Sequence, residues 1–238
     1  FDPARPDARV ARLLADQAVQ RGAGRRDALP VRERAVSEPG SRYIDFFIPG
    51  LLGFNLMGGG IWGVGYSIVN ARSRKLLKRL AATPMSRAQY LASFLLARLV
   101  FLVVDVAVVL GFGALVFGVP VRGSLVQVAA IALLGALAFG GLGLLVASRA
   151  QTTEGVSGLM NLVMLPMWIA SGVFFSSENF PAAVQPVVQA LPLTAVNDAL
   201  RATMLRGAGW GAVAPELLVM AAWMVASYAA AVRLFRWR

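Results

Sequence analysis

Cysteine and histidine are both absent from this chain of 238 residues. Their absence excludes disulfides, thiol nucleophiles, Cys/His zinc sites and acid–base catalysis by imidazole. The chain has only 12 Asp and Glu residues, which disfavours a metal site built from carboxylates. Its two lysines, Lys75 and Lys78, lie outside any G-x-x-x-x-G-K-[ST] loop, so we find no P-loop for ATP. These absences argue against an enzyme and against an ATPase site within the chain.

Apolar residues, in contrast, dominate the composition. They make up 58% of the chain, whereas charged residues make up 15%, well below the ~25% typical of soluble domains. The formal net charge is nevertheless +11. A chain that is both apolar and basic is expected in a membrane, with its charge concentrated in segments outside the lipid.

Five apolar runs are long enough to cross a bilayer as helices, which takes about 20 residues each. The continuous runs do not resemble the short alternating strands of a membrane barrel. We therefore expect an all-α polytopic membrane protein, a helical bundle of five spans with short extracytoplasmic re-entrant or interfacial helices. The predicted spans are 46–69, 91–117, 125–147, 156–175 and 212–232.

The distribution of basic residues predicts the orientation of these spans. Segment 71–89 contains six Lys and Arg residues and no acid, and the C-terminal tail contains three arginines. An odd number of spans places both on one side, which the positive-inside rule identifies as the cytoplasm. Residues 1–45 then form the end of an extracytoplasmic segment. Because this topology places the N-terminal stretch outside the cytoplasm, we expect a further helix before Phe1, giving six in the complete subunit.

Segment 71–89 also has the pattern of an amphipathic helix lying at the membrane surface. Leu76, Leu77 and Leu80 form its apolar stripe, and Ser86 with Gln89 fits a capping box that starts the next span. One interpretation is a solvated loop whose arginines reach lipid headgroups. The other is a docking helix for a cytoplasmic partner, carried by Arg72, Arg74, Lys75, Lys78, Arg79 and Arg87.

Small and polar residues share one face of the first predicted span. The face includes a G-x-x-x-G pattern at Gly59–Gly63, which favours helix packing inside the bundle or at a subunit interface; the alternative is a surface that lines a substrate path. Its members are Asn55, Gly58, Gly59, Trp62, Gly63, Tyr66 and Asn70. The fourth predicted span carries a comparable mixed face, which could pack within the bundle or contact an amphipathic ligand. Its members are Ser157, Asn161, Met164, Trp168 and Ser171.

The second span carries two opposite charges seven residues apart, Arg98 and Asp105, which fall on one helix face. Charges within lipid are costly, so Asp105 should face protein or water. A structural partner for Asp105 is favoured over a role in transport. Outside the membrane, segment 176–211 contains pieces too short to span, and Thr194 fits the N-cap of a helix there.

The order of these parts resembles the permease of an ABC-2 type ABC transporter. The resemblance depends on Tyr43–Leu52 before the first span, on the stretch from Leu76 to Arg87 after it, on Ser171–Phe175 with Phe180-Pro181, and on Leu191–Thr194 with Asp198–Arg201. It covers residues 43–238, so that 46–238 would form the permease domain.

The resemblance implies a dimer of permeases, either homodimer or heterodimer, with separate cytoplasmic ATPase subunits that bind ATP and magnesium. Segment 71–89 would be the region that couples to the ATPase, and short re-entrant helices would lie within 178–206. One departure is visible: many family members carry acidic residues where Asn70–Lys75 is basic. The substrate pathway would include Asn55, Trp62, Asp105, Asn161, Met164 and Trp168.

Two functions follow as expectations. The first is the membrane subunit of an ATP-driven exporter in the cytoplasmic (inner) membrane, with its C-terminus in the cytoplasm and a drug, lipid or glycan as substrate, which makes multidrug export one of its options. The second is a secondary transporter or channel in which Asp105 is the coupling site. Nucleic acid is not an expected partner, because the charge is accounted for by the predicted topology.

Overall fold

The computed structural model describes residues 42–74, 87–150, 152–174 and 177–234. Within these ranges the chain forms helices and turns without strands, as expected for an all-α membrane protein. The elements are α1 (Tyr43–Ser73), α2 (Arg87–Phe117), α3 (Leu125–Arg149), α4 (Thr153–Ala170), α5 (Gln185–Ala190), α6 (Pro192–Arg206) and α7 (Ala214–Leu234), with 3₁₀ turns at Ser177–Asn179 and Trp210–Val213.

Four of the described helices are long and apolar enough to cross a membrane, and they coincide with four of the five predicted spans. They are Tyr43–Ser73, Leu96–Phe117, Leu125–Arg149 and Trp210–Leu234. The remaining predicted span, 156–175, coincides with α4, but its predicted end is wrong. The helix ends at Ala170, and Gly172 then takes a left-handed φ of 72°, a conformation that terminates helices.

Helix α4 nevertheless runs between the same two ends of the bundle as α1. Near its start, Arg72 of α1 donates to the carbonyl oxygen of Ala150 at 2.9 Å. Beyond its end, the carbonyl oxygen of Gly172 accepts from Arg201, which also donates to Phe46 near the start of α1 at 3.3 Å. The 18 residues of α4 extend over about 27 Å. It is therefore antiparallel to α1, and the count of five spans stays a prediction.

The core is centred on α1 and α3, which approach each other through glycines. A Cβ on Gly143 of α3 would lie 2.8 Å from the carbonyl oxygens of Gly60 and Ile61 on α1. Contacts this short are possible only without side chains, and they are typical of helix packing in membranes. Helix α2, in contrast, is mostly exposed. Only 11% of its most apolar 18-residue stretch is buried, compared with 61% for α3. Most of its Val, Leu and Phe side chains are thus available to lipid or to another helix.

Local sequence signals define several helix ends. Thr152 caps α4, because its hydroxyl accepts from the backbone N–H of Gly155 at 3.1 Å. Helix α6 starts at Pro192 and ends at Gly207, whose φ of 63° is left-handed. The predicted N-cap role of Thr194 is wrong: Leu191 is the N-cap residue, and Thr194 is buried inside the helix. The predicted capping box at Ser86 lies outside the described residues.

Candidate functional site

The polar face of α1 points away from the core. Asn55, Gly63 and Tyr66 are exposed, and Trp62 is half-buried with its ring 6.1 Å from that of Tyr66. Within the described chain, the Gly59–Gly63 pattern does not form the contact between α1 and α3. Gly59 instead lies against the Arg98 guanidinium of α2, and a role of this face at a subunit interface stays a prediction. A Cβ on Gly63 would meet nothing within 4 Å, whereas Gly60 and Gly65 lie in the tight contact with α3. The face is therefore open for a ligand, a lipid or a second subunit.

Aromatic rings connect α1 with the end of α4. The rings of Phe54 and Trp168 lie 5.7 Å apart, and Phe174 lies 5.9 Å from Trp168. The series continues from Phe174 to Phe47 at 5.9 Å and from Phe47 to Tyr43 at 5.8 Å. Such distances are typical of favourable ring pairs. Since Tyr43 and Trp168 are exposed by 62% and 40%, the series forms a partly accessible aromatic surface.

The mixed face of α4 is accessible along most of its length. Asn161 and Trp168 are exposed, and Met164 is half-buried. Ser157 donates to the carbonyl oxygen of Thr153 at 2.7 Å, and Ser171 is fully buried beyond the end of the helix. The face thus ends at Trp168, and Ser171 belongs to the protein interior.

Arg98 and Asp105, which the sequence places on one helix face, form an ion pair. Arg98 Nη1 lies 3.4 Å from Asp105 Oδ2, and Arg98 Nη2 donates to the carbonyl oxygen of Leu56 on α1 at 3.5 Å. The Arg98 side chain is 13% exposed and that of Asp105 36%. Asp105 therefore has a structural partner within the chain and keeps part of its carboxylate accessible.

The six predicted coupling residues do not share one environment. Arg72 donates to the carbonyl oxygens of Ala147 and Ala150 at 3.2 and 2.9 Å, so its guanidinium caps the C-terminal end of α3. Arg74 is exposed and donates to the Asn70 side chain at 3.1 Å. Lys75, Lys78 and Arg79 lie outside the described residues, as does the side chain of Arg87.

A buried polar cluster at the other end of the bundle was not singled out by the sequence. Arg201 on α6 donates to Phe46 and Gly172, lies 3.6 Å from the Asp198 carboxylate, and stacks its guanidinium 3.6 Å from the centre of the Phe46 ring. Burial lowers the pKa of Arg201 to about 10, so it stays charged at neutral pH. Asn197 donates to the carbonyl oxygen of Ser171 at 2.8 Å. The cluster joins α6 to the start of α1 and to the end of α4.

Arg42 caps the C-terminal end of a neighbouring helix at the Arg201 end of the bundle, as Arg72 does at the opposite end. Its Nη2 lies 3.0 Å from Asp45 Oδ1 and donates to the carbonyl oxygen of Phe117, the last residue of α2, at 2.9 Å. Each end of α1 thus supplies a cation to the C-terminal end of a neighbouring helix. No group of three or more potential metal ligands occurs among the described residues.

Comparisons with known proteins agree with this arrangement. A family model described as "ABC-2 type transporter" matches residues 19–205. ABC transporter G family member 20 of Dictyostelium discoideum is 28% identical over 191 residues, which cover 79% of this chain and 26% of that protein.

Bacterial relatives match a shorter region. The inner membrane transport permease YhhJ of Escherichia coli is 30% identical over 107 residues, 45% of this chain and 29% of the permease, and its Shigella flexneri counterpart matches equally. The aligned chain thus spans less than a third of each relative. Since the family model matches well over half of this chain, the chain belongs to the ABC-2 type transporter family, and its long apolar helices make it a multi-pass membrane protein.

Proposed function

We propose that this chain is the membrane subunit of an ATP-driven exporter in the cytoplasmic (inner) membrane. The match to the ABC-2 type transporter family over residues 19–205 carries the proposal. A separate cytoplasmic ABC ATPase would bind ATP and magnesium, and two permease subunits would alternate between inward- and outward-open states. The name of the YhhJ relative, an inner membrane transport permease, supports the location.

The proposed ATPase contact is the basic segment 71–89, with Arg74, Lys75, Lys78, Arg79 and Arg87 as its cations. Arg72 is better assigned to α3, because both of its bonded carbonyl groups belong to the end of that helix. The reassignment sharpens the test. A variant that reverses Arg74, Lys75, Lys78 and Arg79 keeps the Arg72 cap of α3, and its melting temperature separates a loss of coupling from a damaged bundle.

The four-residue charge reversal is tested in proteoliposomes that contain this chain and an ABC ATPase that copurifies with its unaltered form. We expect loss of copurification with the ATPase and loss of ATP-dependent export, with an unchanged melting temperature. Arg122→Glu and Arg206→Glu are the matched control, because both arginines are exposed and lie at the other end of the bundle. Retained ATPase binding and export in the four-residue variant would contradict the coupling role.

The proposed substrate pathway follows the open faces of α1 and α4. Asn55, Trp62, Asp105, Asn161, Met164 and Trp168 are all exposed or half-buried, and the aromatic surface lies beside them. Aromatic and thioether side chains with a few polar groups suit an amphipathic molecule. A drug, lipid or glycolipid would fit this chemistry, and multidrug export is the corresponding activity.

The pathway is tested by single substitutions on α4. For Trp168→Ala or Asn161→Ala, we expect the KM of substrate-stimulated ATPase activity to change by about tenfold, as for the loss of one good contact of about 1.4 kcal/mol. Leu162→Ala is the control, because Leu162 is exposed on α4 outside the mixed face. If Leu162→Ala changes this KM as much as Trp168→Ala and Asn161→Ala do, the mixed face of α4 is not part of the pathway. Gradient-driven transport without ATP that is lost in Asp105→Asn would instead favour the secondary transporter.

A further inference from the structure

Helix α1 is interrupted by a π-helical segment at Gly59–Val64, between α-helical parts at Tyr43–Gly58 and Gly65–Ser73. A π turn contains one residue more than an α turn, is rare, and is frequently found at functional sites. The extra residue changes the direction of every later side chain by about 100° relative to an uninterrupted α-helix. In this register Tyr66 is 38% exposed and Val69 is fully buried.

The Arg98 guanidinium lies against the first residue of this segment. A Cβ on Gly59 would overlap the outer atoms of the guanidinium, whereas a Cβ on Gly58 or Gly63 would meet nothing within 4 Å. Of these three glycines, only Gly59 therefore makes room for Arg98. The same guanidinium donates to Leu56, three residues before the segment.

The contact lies where the hydrogen-bond ladder of α1 changes. The carbonyl oxygen of Leu56 accepts from the backbone N–H of Gly59 and also, at 3.5 Å, from Arg98. A polar group placed against the ladder alters the path of a helix, and in lipid no water competes for the carbonyl oxygen. Arg98 provides a charged donor at this point, and Asp105 neutralises the charge at 3.4 Å. Arg98 of α2 thus contacts α1 at the point where the helical register of α1 changes.

We propose that Arg98 is a positioning residue that holds α1 in its π-helical register. Through this register Arg98 sets which side chains after Val64 lie on the open face of α1 and which pack into the core. Without the guanidinium, the segment relaxes to an α-helix and Tyr66 exchanges exposure with residues that are now buried. The role is a property of the chain's own structure and does not depend on the exporter function.

The test uses the natural absence of cysteine, which makes every introduced thiol unique. Tyr66→Cys and Val69→Cys are made singly, and the full chain in detergent micelles is labelled with a maleimide. In the parent we expect fast labelling at 66 and slow labelling at 69. In Arg98→Gln and in Gly59→Ala, we expect the ratio of the two rates to fall by about tenfold as the later residues rotate. Arg98→Lys, which keeps the charge and a donor, should restore most of the ratio.

Gly63→Ala is the matched control, because it lies in the same π segment and an added Cβ there has open space. Its ratio should equal that of the parent. A parent-like ratio in folded Arg98→Gln or folded Gly59→Ala would overturn the proposal, as would an equal fall in Gly63→Ala. If Arg98→Gln fails to give a monodisperse protein, Gly59→Ala decides, since it displaces the guanidinium without removing its charge.

Discussion

At the scale of single residues, arginine has a different role from the one that its abundance suggests. Arg42, Arg72 and Arg201 each donate to a backbone carbonyl oxygen at or just beyond the C-terminal end of a helix, those of Phe117, Ala150 and Gly172. The last carbonyl groups of a helix lack partners within it and carry the negative end of its dipole. An arginine fork satisfies two of them at once. Part of the net charge of +11 therefore serves the internal structure rather than a partner.

Arg201 yields the first prediction at this scale. Hydrogen bonds to charged groups contribute about 1.5–3 kcal/mol each, and Arg201 donates to two carbonyl groups. We expect Arg201→Ala to lower the free energy of unfolding by about 3 kcal/mol or more, measured by thermal unfolding in detergent. Arg206→Ala, at an exposed position on the same helix, should change it little. Equal melting temperatures for both variants would contradict the role of the cluster.

At the scale of elements, the contact between α1 and α3 organises the core. It depends on glycines that permit backbone contact, and the side chains around it are fully buried: Phe139, Ile61, Leu56, Met57 and Met160. Since lipid is as apolar as these side chains, helix association in a membrane depends on close packing. A methyl group at the contact should therefore be more disruptive than one at a lipid-facing site.

Gly143→Ala tests this view. Its Cβ would lie 2.8 Å from two carbonyl oxygens of α1, which have no freedom to move aside. Overpacking of this kind costs about 1–3 kcal/mol, and we expect a matching fall in thermal stability. Gly111→Ala on α2 is the control, because a Cβ there has nothing within 4 Å. A stability loss that is no larger at Gly143 than at Gly111 would show that the contact is loose.

At the scale of the whole molecule, the helix directions agree with the predicted topology. Arg42 reaches the end of α2, and Arg72 reaches the end of α3, so α2 and α3 end at opposite ends of α1. The segment with six basic residues follows α1 at the Arg72 end. The positive-inside rule then predicts that this end faces the cytoplasm.

Single cysteines measure that orientation directly. We expect Ser124→Cys, in the loop before α3, to react with a membrane-impermeant maleimide in intact cells. Ser73→Cys, at the end of α1, should react only after the cells are permeabilised. Both serines are exposed, so accessibility within the protein does not limit the reaction. The reverse pattern would invert the topology and with it the proposed position of the ATPase.

The candidate site could be predicted only in part. The sequence places Arg98 and Asp105 on one helix face, because they are seven residues apart, and favours a structural partner for Asp105. The structure identifies this partner as Arg98, at 3.4 Å. The contact of Arg98 with Leu56 was not predictable, since it joins two helices. The glycines of the contact between α1 and α3 were not predictable for the same reason: Gly59–Gly63 has the spacing of a packing motif, but Gly60 and Gly65 make that contact, because spacing does not tell which face of a helix meets a neighbour.

By itself, the sequence determined that this is a helical membrane protein, where its apolar helices lie and which family it belongs to, because hydropathy and short motifs are local properties of the chain. Only the tertiary structure decided which arginines cap helices, which glycines pack and where α1 becomes π-helical. These features depend on contacts such as that of Arg201 with Phe46, which lie 155 residues apart. Such contacts arise when the helices assemble and their polar backbone groups find partners away from water.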